Sequence, residues 1–493
     1  MTTTNLLDYL ERAAGRFPDK TAFGDENESL TFARLAELAR GVGAYIAERA
    51  GDTRRPVAVM TSHSAADIAA FMGALYAGCF YAPLDAGAPK EHTAARLDVI
   101  RPAVIIDAKT PGGLPIGANQ TAFQDIRQNA LSSDPAYAIF TSGSTGMPKA
   151  ALVSHGSVIN LIEWMADEFG FSERTVFAGQ CPFYFDSSVQ EIYSTLKCGC
   201  TTRLFPKKLF ISPLKAMRHV RETGANVLPW AAAAVKLIAN SGVFEKYDLS
   251  DELAGVTDVI FGGENMPAKL LNIWRRALPL TRFTNVYGPT ETTVDCSYYT
   301  LNRELADGGS VPIGFPIRDT RLLLLDGDRP AVRGEAGEIY VRGAGVGLGY
   351  YGDAARTAEA FVQNPLNPRY RDTVYRTGDI ARLNEHGELV FVSRADGQVK
   401  HMGGRVELGE VEAAAAALDG VRLACCAYDR EKSKILLFYE GPAGERELSA
   451  ELAARLPRYM CPNVVVRVDG MPATPNGKID RLAVKKVYYD ERN

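Results

Sequence analysis

The run Thr141-Ser142-Gly143-Ser144-Thr145-Gly146-Met147-Pro148-Lys149 sets hydroxyl side chains and two glycines directly behind the apolar segment 136–140. Glycine lets backbone N–H groups approach an anion closely, hydroxyls add further donors, and Lys149 adds a positive charge. That chemistry suits a triphosphate. The same cluster also serves as an ordinary surface turn, so both readings stand on this segment alone. It is not a P-loop, which needs Lys directly after its second glycine and then Ser or Thr. Here Met147 and Pro148 follow Gly146, and Ala150 follows Lys149.

Other polar residues are spaced along the chain in short motifs: Phe183-Tyr-Phe-Asp186-Ser187-Ser-Val-Gln190-Glu-Ile-Tyr193, Asn285-Val286-Tyr287-Gly288-Pro-Thr290-Glu291, Tyr375-Arg-Thr-Gly-Asp379, Arg394-Ala-Asp396-Gly-Gln-Val-Lys400 and Pro475-Asn-Gly-Lys478-Ile-Asp-Arg481. Taken singly, each has a plain structural reading. Asp186 ahead of SSVQEIYSTL makes a good helix N-cap. A TGD triplet is usually a turn, and a lysine in an Asn-Gly turn is usually a solvated tip.

Taken together and in this order, the motifs resemble those of the adenylate-forming superfamily, which holds acyl-CoA synthetases, luciferases and the adenylation domains of nonribosomal peptide synthetases. The resemblance covers roughly residues 5–485, including GEIYVRGAGVGLGYY at 337–351. It implies that Thr141, Ser142, Gly143, Ser144, Thr145, Gly146 and Lys149 hold the β- and γ-phosphates of ATP. It implies further that Tyr287 packs on adenine within the Asn285–Gly288 turn, that Thr290 meets a phosphate, and that Glu291 helps hold Mg²⁺. A carboxylate beside a triphosphate needs a cation between them. Asp379 would accept both ribose hydroxyls, since two carboxylate oxygens fit a vicinal diol, with Arg394 and Lys400 nearby. Asp396 would be the pivot of a hinge at 394–397, and Lys478 would reach the reacting carboxylate and α-phosphate. Four positions depart from the common pattern: Leu348 and Met402 stand where arginine is frequent, Ser393 replaces a glycine, and Leu408 in ELGEVE replaces a proline.

Asp186 falls where amino-acid activators pair a carboxylate with the substrate α-ammonium. A buried carboxylate needs a cation or donors, and a bound ammonium supplies them. By motif position the rest of the substrate pocket is Ser187, Gln190, Val227, Ile260, Gly262, Val286, Val294 and Asp295. Gly262 stands where D-alanine–carrier protein ligases carry cysteine, which predicts free space there. Gln190 and Asp295 are polar in an apolar lining and point to a glutamine-type or basic side chain. Leu408 instead resembles the D-alanine ligases.

The elements that must position these residues are legible from periodicity. Apolar strand-type runs at 56–60, 80–85, 104–107, 136–140, 226–230 and 258–263 alternate with helical patterns, which argues for parallel sheets with crossover helices. After about residue 310, short runs such as RLLLLD and GEIYVRG between Gly, Pro and Asp turns predict a β-rich section. From about 394 a compact αβ tail follows. The predicted architecture is α/β: an N-terminal core 1–393 of two parallel-type α/β subdomains plus a β-rich subdomain, a hinge 394–397, and a small mobile α+β C-terminal domain 398–493. A chain of 493 residues is too long for one ordinary core and suggests two or more domains.

Composition excludes other classes. With 55 basic and 59 acidic residues and a net charge of −4, nothing favours a polyanionic partner, so nucleic acid is not expected. The N-terminus has no signal-peptide pattern and no run is long enough to span a membrane, which predicts a cytoplasmic protein. The eight cysteines lack paired zinc spacing, and the lone Cys198-x-Cys200 has no second pair. No carrier or condensation segment is present in the 493 residues, so a carrier protein with a phosphopantetheine arm is expected to act in trans. The expected activity is ATP- and Mg²⁺-dependent activation of an amino acid as its adenylate, followed by transfer to that thiol. A D-alanine–carrier protein ligase and an acyl- or aryl-CoA ligase are the alternatives.

Overall fold

The computed structural model describes residues 3–108, 113–118, 126–127, 129–141, 147–394, 398–429, 432–472 and 481–490. The chain divides into two compact units. The larger comprises Met1–Ala86, Ile100–Ile139 and Ala150–Ala395, and the smaller comprises Gly87–Val99, Phe140–Lys149 and Asp396–Asn493. The smaller unit is therefore more than the tail 398–493: two stretches expected in the core 1–393 belong to it. Within that smaller unit the Arg96 guanidinium lies 5.6 Å from the centre of the Phe140 ring.

The larger unit holds the alternating strands in two sheets. In the longer, the strands Ser297–Thr300, Arg282–Tyr287, Asp258–Gly262, Val227–Ala231, Val176–Gly179 and Thr201–Leu204 lie side by side in that order. The central pairs are parallel, with Ala231 opposite Gly262 and Gly262 opposite Val286. The other sheet runs Lys149–Ser154, Pro135–Thr141, Phe80–Asp85, Pro56–Thr61, Val104–Asp107. Strands covered on both faces read as continuous apolar runs, which is why these segments are visible in the sequence. The β-rich section follows, with Thr320–Asp326, Ala336–Gly343, Thr373–Leu383 and Leu389–Arg394 paired antiparallel.

Helices are placed by local chemistry. Ala65–Tyr76 begins with a capping box in which Ser64 and Asp67 satisfy each other's backbone N–H groups. Its Gly73 admits Val42 of the helix Phe32–Ala50, because a Cβ there would lie 2.7 Å from Val42 Cγ1. The helix Ser188–Cys198 stops at Gly199, whose φ of 69° is the left-handed cap that glycine adopts without strain.

In the smaller unit the hairpin Gln398–His401 and Gly404–Glu407 leads into the helix Leu408–Ala416, and the strands Leu423–Asp429, Lys434–Glu440 and Val464–Arg467 form a three-stranded sheet. Val406, Val411, Leu437, Leu448 and Leu452 bury together there. Among the described residues no helix is long and apolar enough to cross a membrane. All eight cysteines are free, six of them buried.

Candidate active site

The predicted substrate residues converge in the larger unit. Val227 and Ile260 sit on adjacent parallel strands, Val286 on the next, and Val294 in the loop that follows. All four are buried in one hydrophobic cluster with Phe183, Val189, Ile192 and Tyr193 from the helix 188–198 and its approach. Gln190 lies on that helix, and its Nε2 donates to Asp295 Oδ2 at 2.6 Å. The two polar pocket residues are thus joined to each other, both almost fully buried. Asp186 is half-buried one residue ahead of Ser187, which is the helix N-cap. Its carbonyl accepts the Val189 N–H, while Ser188 Oγ donates to the Phe185 carbonyl. The cap position therefore falls on Ser187 rather than on Asp186.

Gly262 corrects one expectation. A Cβ built on it would lie 2.4 Å from the Val286 carbonyl oxygen and 2.8 Å from Val286 Cγ2. The missing side chain is taken up by the neighbouring strand, so it leaves no extra room.

The segment after Tyr287 is strained. Thr293 and Val294 are both β-branched, yet have φ of 61° and 67°, a region such residues rarely enter. The loop is pinned: Thr293 Oγ1 donates to the Gly345 carbonyl at 2.7 Å, Asp295 N–H donates to the Thr293 carbonyl, and Cys296 N–H donates to the Tyr287 carbonyl. This turn places Val294 in the apolar cluster, Asp295 in its bond with Gln190, and Glu291 against Tyr350. Gly288 is required for the tight path, because a Cβ there would lie 2.2 Å from the Val294 carbonyl oxygen. Gly288→Ala is expected to lower stability by about 1–3 kcal/mol through this overlap, seen as a reduced thermal midpoint, whereas Gly255→Ala, with open space around it, should leave the midpoint unchanged.

Asp379, in the strand Thr373–Leu383, is held on both oxygens. Arg394 Nη1 donates to Oδ1 at 2.7 Å, and the Tyr287 hydroxyl donates to Oδ2 at 2.6 Å. Arg394 Nη2 also donates to the Thr377 carbonyl, and the Thr377 hydroxyl accepts the Asp379 N–H. Burial and the Asp379 carboxylate together push the Tyr287 hydroxyl's ionisation well above its usual value, so it stays a proton donor. Each carboxylate oxygen has a second lone pair, so two ribose hydroxyls still find acceptors. Glu291 lies in the short turn Thr290–Thr292, fully buried, with Oε1 accepting the Tyr350 hydroxyl at 2.7 Å. Among the described residues no group of three or more His, Cys, Asp or Glu gathers to hold a metal. One carboxylate fits Mg²⁺, which keeps waters and binds through phosphate oxygens. Asn285 is a strand residue whose Nδ2 donates to the Pro312 carbonyl at 2.7 Å, which commits its amide to the scaffold.

Thr141, Lys149 and Lys400 belong to the smaller unit. Thr141 ends its strand with a buried hydroxyl, Lys149 opens the next strand, and the Lys400 carbonyl accepts the Tyr428 hydroxyl. Ser142, Gly143, Ser144, Thr145, Gly146, Asp396 and Lys478 lie outside the described residues. Two contributors are not singled out by the sequence. Tyr350, which holds Glu291, stands inside the matched segment 337–351, and its side-by-side tyrosines are the available signal. Tyr137 reads as one more apolar strand residue.

This chain belongs to the AMP-binding enzyme family: the family model matches residues 10–351, and the model for the AMP-binding enzyme C-terminal domain matches residues 410–478. It is 34% identical over 511 residues to a dimodular nonribosomal peptide synthase of Bacillus subtilis (strain 168), an alignment covering 97% of this chain and 21% of that protein. The chain thus spans about a fifth of the length of that relative, and 14% of surfactin synthase subunit 1 of the same organism, to which it is 32% identical over 96% of its own length. Among solved structures it resembles IdnL1 (29% identity, TM-score 0.81, 96% of this chain and 100% of that one). It also resembles holo-PA1221, described as an NRPS protein containing adenylation and PCP domains bound to a vinylsulfonamide inhibitor (27% identity, TM-score 0.82, 98% of this chain and 84% of that one).

Proposed function

We propose that the protein activates an amino acid as its aminoacyl-adenylate and passes the aminoacyl group to the phosphopantetheine thiol of a carrier protein supplied in trans. The observation that carries this reading is Asp186, a half-buried carboxylate just ahead of the helix N-cap Ser187, beside an apolar cluster containing one hydrogen-bonded polar pair, Gln190 and Asp295. The peptide-synthase relatives and the adenylation–PCP structure support it.

In the first step a carboxylate oxygen of the amino acid attacks the α-phosphorus of ATP, and the bond to the pyrophosphate oxygen breaks. Two anions must approach, so catalysis is mainly positioning and charge neutralisation. The carboxylate is already ionised near neutral pH and needs no general base. Asp379, Arg394 and Tyr287 orient the ribose, Glu291 would hold Mg²⁺ at the phosphates, and that ion would supply charge neutralisation. The 141–149 segment would hold the phosphates, and Lys478 the α-phosphate and the attacking carboxylate. In the second step the carrier thiolate attacks the acyl carbon and AMP leaves. Asp396 would be the pivot between the two steps. The paired amide and carboxylate of Gln190 and Asp295 favour a glutamine-type or basic side chain.

Amino-acid-dependent ATP–pyrophosphate exchange tests the reading: a panel should show exchange with one polar amino acid and none with fatty or aromatic acids. Exchange with only the latter would establish an acyl- or aryl-CoA ligase instead. Tyr287→Phe removes one of two donors to Asp379 while Arg394 remains. The KM for ATP should rise about three- to tenfold, the size of a hydrogen bond whose loss is partly compensated, with kcat nearly unchanged in the same assay.

A further inference from the structure

Tyr137 lies on the strand Pro135–Thr141 opposite Tyr81, their ring centres 5.8 Å apart. Its side chain is fully buried, and its hydroxyl has no hydrogen-bond partner among the described residues. The tyrosines around it differ: the Tyr81 and Tyr193 hydroxyls bond each other at 3.0 Å. Tyr193 follows Gln190 by one helical turn, and Tyr137 and Tyr193 share the hydrophobic cluster of Val227, Ile260 and Val286. Burial foremost, and the charges of Asp186 and Asp295 in addition, raise the Tyr137 hydroxyl's ionisation well above its usual value, so it stays protonated. A buried hydroxyl left unpaired is unfavourable, and such groups in native proteins commonly await a water or a ligand.

We propose that the Tyr137 hydroxyl is a further substrate contact, accepting one N–H of the amino acid's α-ammonium beside Asp186. An ammonium carries three N–H donors. One carboxylate takes one or two of them, and in a buried site the remainder need an acceptor. The hydroxyl keeps its own proton, so it adds an acceptor without adding charge. This inference rests on the amino-acid reading given above.

Tyr137→Phe removes only the oxygen. In pyrophosphate exchange, the KM for the cognate amino acid should rise about ten- to hundredfold, the size of a hydrogen bond to a charged group. The KM for ATP should stay within twofold. The preference for the amino acid over its des-amino analogue, in kcat/KM, should fall by the same factor as the KM rises. The thermal midpoint of the ligand-free variant should be unchanged or higher, because an unpaired buried hydroxyl has gone. A lowered midpoint with equal losses for both acids would make Tyr137 a structural residue and overturn the inference, as would an unchanged KM. Wild-type enzyme that shows no amino-acid-dependent exchange overturns the parent reading and this inference together. Normal wild-type exchange with an indifferent Tyr137→Phe overturns this inference alone.

Discussion

Lys478→Ala is expected to reduce adenylate formation by about 10²- to 10³-fold in kcat, the usual effect of removing one preorganised charge or donor aimed at developing negative charge. The attacking carboxylate and the α-phosphate are both anionic, and a cation between them matters most when their oxygens are closest. The loss should therefore appear in kcat more than in the KM for either substrate. The second step has a different demand: a thiolate attacks an acyl carbon that is already activated, and AMP is a good leaving group. Transfer from a chemically supplied aminoacyl-adenylate to a carrier thiol should stay within a few-fold of wild type in Lys478→Ala. Single-turnover measurement of both half-reactions separates these effects. Equal losses in the two would show that Lys478 does not act on the first step in particular. Lys478→Arg, which keeps charge but changes shape, should recover only part of the rate.

The strands are legible because they are buried on both faces and so read as unbroken apolar runs, as at 56–60 and 258–263. The convergence of Val227, Ile260, Val286 and Val294 is legible through motif position, since adjacent parallel strands bring distant segments into register. What stays hidden has a common cause: it depends on which neighbour a side chain meets. Gly262 reads as vacated space, but Val286 fills it. Gln190 and Asp295 read as two separate polar contributions, but they are joined to each other across 105 positions of sequence. The engagement of Asp379 by Tyr287 and Arg394 likewise joins motifs that the sequence presents separately. Gly87–Val99 falls within the expected core 1–393, and only the contacts of the folded chain assign it to the smaller unit. Strain is also invisible in sequence: nothing in Thr293-Val294 announces a left-handed backbone at two β-branched residues.

Asp186→Ala separates the amino-acid reading from its alternatives most sharply. On the amino-acid reading proposed above, the substrate ammonium would enter a largely apolar site and be balanced by this carboxylate. Removing one partner of such a pair leaves the other charge unpaired and desolvated, which costs about 2–5 kcal/mol. The expected loss in kcat/KM for the cognate amino acid is therefore on the order of 10²- to 10³-fold. The des-amino analogue should change in the opposite direction. Against an apolar Cα substituent the half-buried carboxylate gains no bound ammonium and loses solvent as the substrate packs on it, and its removal relieves that penalty. The two kcat/KM values, measured by pyrophosphate exchange, should move toward each other and can cross. Asp186→Asn should fall between, because an amide keeps the shape and one acceptor but not the charge. Because the N-cap position of the helix Ser188–Cys198 is Ser187 and not Asp186, the thermal midpoint should move little, and the kinetic change can be assigned to the lost charge rather than to unfolding. A des-amino analogue that loses activity in step with the amino acid would mean that Asp186 supports the pocket's shape and that the amine is recognised elsewhere.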